Sequence, residues 1–143
     1  RGCNAAGTPW AIGIRHPREP GAIVDTLHLS NAAVCTSGDY ERLRPDGEPG
    51  HHIIDPATGS ATSGVASVTV VAPTAMLADA LATAAFVLGP EHGLALLRRH
   101  GVEGAIVSSE PKRHETPGFA GYRGRASRSP NRDSHCGPFG GSS

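Results

Sequence analysis

Polar and apolar positions alternate with a period of two over the first third of the chain and then give way to longer apolar runs. Strands are therefore expected first and helices later. Trp10 to Arg15 (WAIGIR) predicts a strand that Pro17 stops. Ala22 to Leu29 repeats the pattern through Ile23, Val24, Leu27 and Leu29, and Asn31 to Thr36 is a third apolar run ended by Ser37 and Gly38. Short turns between these three segments favour an antiparallel meander. Tyr40 to Arg44 and His51 to Ile54 flank PDGEPG, whose Pro, Asp and Gly content signals a hairpin. Ser67 to Ala72 (SVTVVA) is short and β-branched, as a central strand is, and Pro73 breaks it.

The period then changes. Thr74 is a suitable N-cap, and Gly89-Pro90 is a stop signal, so a helix is expected between them. Met76, Leu77, Ala80, Leu81, Ala84, Val87 and Leu88 would bury it on most sides. Pro90 starts a second helix through His100, with Leu94, Leu96 and Leu97 inward, Arg98 and Arg99 outward, and Gly101 as its end. Glu103 to Ser108 holds the last apolar strand run. From Pro111 onward the composition turns to Gly, Pro, Ser and Arg, with Phe119 and Tyr122 as anchors and no periodicity after them. The expected division is an ordered domain over 1–122 and a disordered Gly/Ser/Arg-rich tail over 123–143.

Within the first helix, Asp79 and Thr83 fall one turn apart on the same face. A carboxylate inside an apolar helix is costly to bury unless something compensates it. A hard cation such as Mg2+ suits this oxygen pair. The alternatives are an Asp79–Arg ion pair and a Thr83 hydroxyl bonded to the carbonyl one turn back.

Bulk properties narrow the partners. The 143 residues suffice for one domain, and the formal net charge is zero, which removes any global electrostatic case for nucleic acid or an anionic membrane surface. The basic stretch GRASRSPNR carries no stacking aromatics. No run is expected to reach the length of a bilayer span. Cys3, Cys35 and Cys136 have neither zinc-site spacing nor an even count, so neither a disulfide framework nor structural zinc is expected. The chain opens on Arg1 in what reads as mid-domain sequence, a fragment. The absence of an export signal leans towards the cytoplasm, with a periplasmic or lipid-anchored parent left open.

Three segments, NAAVCTSGDYER at 31–42, HHIIDPATG at 51–59 and SVTVVAPTAMLADALATA at 67–84, occur in an order and spacing that resembles the C-terminal half of the ApbE family of FAD:protein FMN transferases. The resemblance begins near Trp10 (WAIGIRHPR) and runs to TPGFAGY at Tyr122. It implies an α+β fold with antiparallel sheets packed against helices, an ApbE-like (T-fold-like) domain that is incomplete here. The family's Gly-Gly-Ile-Ala-Lys-Gly-Tyr type segment, which supplies part of the flavin pocket and a backbone oxygen to the metal, has no counterpart in these residues.

The family's reaction is Mg2+-dependent: FAD is split, AMP leaves, and FMN is joined by a phosphoester to a threonine of a target flavoprotein. The resemblance makes Asp79 and Thr83 the metal ligands and gives His52 and Asp55 catalytic positions. It sets Ser37, Gly38, Glu41, His52 and Ile53 by the FAD. Read without the family, His52 is a strand-end histidine, Asp55 caps an Asp-Pro turn, and residues 37–41 form a plain β-turn in which Gly38 permits close backbone approach. Cys35 reads as a small buried hydrophobe rather than a nucleophile. A FAD-binding or FAD-hydrolysing relative without a protein target, or a truncated inactive remnant, are the alternative functions.

Overall fold

The computed structural model describes residues 2–40, 53, 56, 59, 62, 64–110 and 112–124. Among the described residues, six strands and one long helix follow the order β1 (Trp10–Arg15), β2 (Ile23–Leu29), β3 (Ala33–Gly38), β4 (Val65–Ala72), α1 (Ala75–Arg99), β5 (Glu103–Ser108) and β6 (Arg113–Glu115), closed by a 3₁₀ turn at Phe119–Tyr122. The fold is α+β. β1 and β2 form an antiparallel hairpin, while β3, β4, β5 and β6 pair antiparallel in that order in a second sheet.

The expected three-strand meander is thus corrected: β2 and β3 are not neighbours. Asn31 takes a left-handed conformation (φ 53°), which Asn tolerates because its short amide bonds locally, and its Oδ1 accepts from Gly2 N–H at 2.9 Å. The chain leaves the hairpin there and enters the second sheet. The expected hairpin around PDGEPG lies outside the described residues.

Strand alternation divides the second sheet into two faces. Cys35 and Ser37 sit opposite Val70 and Val68, and with Ile106 they face α1. Val71 and Ala105 face the hairpin, where they pack with Ile14, Leu27, Leu29 and Phe119. β4 is buried along its whole length because both its faces are covered. The result is three layers, helix on sheet on hairpin.

On the helix, Ala78, Leu81, Ala82, Ala85 and Phe86 form the buried stripe, at the i, i+3, i+4 spacing of one face. Burying Phe86 contributes about 2–3 kcal/mol. The Thr74 hydroxyl accepts from Leu77 N–H at 3.3 Å, so the N-cap is as expected. The two expected helices are continuous in the chain but broken at Gly89, whose φ of 79° and ψ of 178° are non-helical and favour glycine. Pro90, with no N–H to donate, follows.

Two expectations about this helix are overturned. It is not buried on most sides: Met76 is 83% exposed, and Ala80 and Leu88 are exposed as well. By length and composition alone, 25 residues with a mean hydropathy of 1.4 over an 18-residue stretch, α1 also meets the criterion for crossing a membrane, which no segment was expected to do. In the fold it covers a sheet. A third correction concerns the cysteines. Cys35 is a free thiol, but Cys3 is disulfide-bonded, its partner outside the described residues.

The C-terminal segment locks the hairpin to the sheet. Asp25, only 12% exposed at its side chain, accepts from Arg113 Nη2 and Arg123 Nε, both at 2.5 Å. Glu115 pairs with the same two arginines, and both guanidinium groups lie over the Phe119 ring at 5.7 and 5.6 Å. Burial would raise the Asp25 carboxyl, yet the hydrogen bonds from Arg113 and Arg123 outweigh it and hold it below the usual carboxylate range. Nearby, Thr116 is buried and donates to Glu103, and its Oγ1 accepts from Gly104 N–H at 2.9 Å. A Cβ on Gly118 would stand 2.5 Å from Glu103 Oε1 and so would displace the carboxylate that accepts from Gly118 N–H at 3.0 Å. Arg123, expected to open a disordered tail, is therefore tied into the fold; 125–143 lie outside the described residues.

Candidate functional site

Where α1 crosses β3, two hydrogen bonds join them. The Cys35 thiol donates to the Ala75 carbonyl across 3.6 Å, and two residues further along the same face Ser37 Oγ lies 3.1 Å from Thr83 Oγ1. Asp79 falls between Ala75 and Thr83, one turn from each, on the same side of the helix. Burial, and then the Asp79 charge, push the Cys35 thiol above its ordinary pKa. A protonated, hydrogen-bonded thiol is a poor nucleophile, in keeping with its reading as a packing residue.

Asp79 itself is exposed and forms no hydrogen bond or ion pair with the described residues. Contrary to expectation, burial does not oblige Asp79 to take a cation, since the helix face that carries it is open. What distinguishes it is that, among the described residues, its negative charge meets neither a hydrogen-bond donor nor a pairing arginine. Thr83, also exposed, bonds Ser37 rather than the carbonyl one turn back.

The turn after β3 is held from two sides. Arg18 makes a bidentate pair with Asp39, both bonds at 2.7 Å, and Asp39 N–H donates to the Ala66 carbonyl at 3.1 Å. Gly38 is buried, and the space its missing side chain leaves is filled by the Tyr40 ring, 2.5 Å from where a Cβ would stand. The glycine therefore admits the Tyr40 ring beside the turn. Ile53, expected beside the cofactor, is 5% exposed and packs in the helix-side core with Val65 and Val68. The side chain is spent on packing because Ile53 is apolar and the core is adjacent. Glu41, His52 and Asp55 lie outside the described residues. Arg18 was not flagged from the sequence; the HPR run after the first strand holds it, but nothing local marks its partner twenty-one residues away.

An unpaired carboxylate and a hydroxyl one turn apart are hard oxygen donors of the kind Mg2+ takes, and they fit part of its shell of six. Among the described residues there is no group of three or more His, Cys, Asp or Glu that could hold a metal.

The sequence profile of the ApbE family matches residues 1–106. The chain belongs to the ApbE family. It is 42% identical over 125 residues to the FAD:protein FMN transferase of Treponema pallidum, covering 83% of this chain and 34% of that protein. To the FAD:protein FMN transferase of Escherichia coli K12 it is 37% identical over 113 residues, 77% of this chain and 32% of that protein. The fold agrees with the crystal structure of the ApbE protein of Thermotoga maritima at a TM-score of 0.78 and 37% identity, covering 87% of this chain and 41% of the other. With the flavin transferase ApbE of Vibrio cholerae the TM-score is 0.70 at 34% identity, with 85% and 40% covered. The chain thus spans about a third of the length of the curated relatives it matches.

Proposed function

We propose that this ApbE-family chain contributes the helix-borne part of a Mg2+-dependent FAD:protein FMN transferase. The observation that carries the reading is the unpaired Asp79 carboxylate one turn from Thr83, on the open face of α1 beside the Ser37 turn. In this reading a threonine hydroxyl oxygen of a target flavoprotein attacks the FMN phosphorus of FAD. The phosphoanhydride P–O bond breaks, AMP leaves with the bridging oxygen, and the hydroxyl proton passes to a base.

Asp79 and Thr83 would hold Mg2+, which when bound offsets the negative charge that builds on the phosphate oxygens. Ser37 and Glu41 would contact the nucleotide, and His52 and Asp55 would act at the reacting phosphate, His52 by holding or donating a proton there. The Arg18–Asp39 pair and the Tyr40 ring keep the Ser37 turn from shifting, which preserves the distance between nucleotide contacts and cation ligands.

The test uses the longest natural polypeptide that contains these 143 residues, incubated with FAD, Mg2+ and a threonine-bearing target flavoprotein. Fluorescent flavin that survives on the target through a denaturing gel is the expected product, and Asp79→Ala is expected to abolish it. FAD binding without any transfer, or FAD hydrolysis to FMN and AMP alone, would replace the transferase reading with one of a flavin-binding or flavin-hydrolysing relative.

A further inference from the structure

Ser37 and Thr83 are 46 residues apart in the chain, and their hydroxyls meet only because β3 alternation turns Ser37 toward α1. A hydroxyl has one proton and two lone pairs. If its oxygen binds a cation through a lone pair, the proton turns away from the positive charge and needs an acceptor on the other side. For Thr83 the structure supplies that acceptor in Ser37 Oγ at 3.1 Å. The other helix-facing polar side chain of the strand, Cys35, is committed elsewhere, to the Ala75 carbonyl.

We infer that Ser37 is a positioning residue for the cation site: its Oγ accepts the Thr83 proton and so aims a Thr83 lone pair at the ion. This rests on the reading of Asp79 and Thr83 as ligands. The direction of the bond has a second consequence. With its oxygen accepting from Thr83, the Ser37 proton is free to donate to a phosphate oxygen, so one side chain faces the cation ligand on one side and the anionic nucleotide on the other. Without Ser37, the Thr83 hydroxyl falls back on the carbonyl one turn earlier, that of Asp79, and takes a different rotamer. Outer partners of this kind typically alter metal affinity by 10- to 100-fold.

The experiment is a Mn2+ titration, without nucleotide, of the longest natural polypeptide that contains these 143 residues, free Mn2+ being followed by electron paramagnetic resonance, with circular dichroism of each variant as a check on folding. Asp79→Ala is expected to lose saturable binding, Ser37→Ala to weaken it roughly 10-fold, and Ser37→Thr, which keeps the hydroxyl on a strand, to restore it. In a Thr83→Ala background Ser37→Ala should have no further effect, because Ser37 acts through Thr83. Wild-type affinity in Ser37→Ala, or an equal loss with and without Thr83, overturns the positioning role while leaving the ligands standing. Unchanged binding in Asp79→Ala, or none in the wild type, overturns the ligand reading and the inference with it.

Discussion

Asp25 and Asp79 lie on opposite sides of the same sheet, and their surroundings differ in every respect that matters. Asp25 sits on the hairpin strand β2, largely buried, with two arginines on its oxygens and Glu115 sharing them around the Phe119 ring. Asp79 sits on the open face of α1 with no ion-pair partner among the described residues. A carboxylate whose field is already cancelled has little left for a ligand, whereas one left uncancelled on a formed surface is available. Burial alone misleads here: the buried acid is the structural one.

The largest effect should come from the ring at the centre of the paired cluster. Phe119→Ala removes a side chain 1% exposed and both guanidinium contacts, and is expected to lower the unfolding free energy by about 3–5 kcal/mol in urea titrations. A loss below about 1 kcal/mol would mean that the hairpin layer is held without this cluster.

Asp25→Ala comes next. It strands two arginines, but these are 28% and 32% exposed at their side chains and water relieves them in part, so about 2 kcal/mol is expected rather than the full penalty of a buried pair. The pH dependence follows from the lowered Asp25 carboxyl. A folded-state pKa below the unfolded one adds stability that is present above the ordinary carboxylate value of about 4 and is lost as pH falls through the folded value. The gap between wild type and Asp25→Ala should therefore stay constant from about pH 7 to 5 and close below about pH 4. A gap that persists in strong acid would show that Asp25 acts through packing and not through charge.

The smallest stability effect is expected at the other acid. Asp79→Ala breaks no bond to the described residues and should shift the unfolding free energy by no more than about 0.5 kcal/mol. A loss comparable to that of Asp25→Ala would erase the distinction between the two.

Local patterns made much of this fold legible. WAIGIR and EGAIVS became strands with the expected ends, the Thr74 cap and the Gly89-Pro90 break appear where propensity puts them, and SVTVVA lies inside the central strand β4. What local pattern could not carry was pairing over distance. The departure at Asn31 that sends β3 to β4, the short β6, and the Arg113/Arg123 grip on Asp25 all depend on segments up to 98 residues apart.

The site shows the same limit. Helical spacing places Asp79 and Thr83 on one face, but which face is covered depends on how α1 lies on the sheet, which spacing alone does not carry. Ser37 was singled out for the nucleotide, while its bond to Thr83 could be seen only once strand and helix were brought together.

The central claim, that the unpaired acid is the functional one, is tested most directly by flavin transfer in Asp79→Ala beside wild type, in the longest natural polypeptide containing the chain. With FAD, Mg2+ and a target flavoprotein, the account predicts covalent fluorescence on the target with wild type and none with Asp79→Ala. Transfer by Asp79→Ala at the wild-type rate would contradict it.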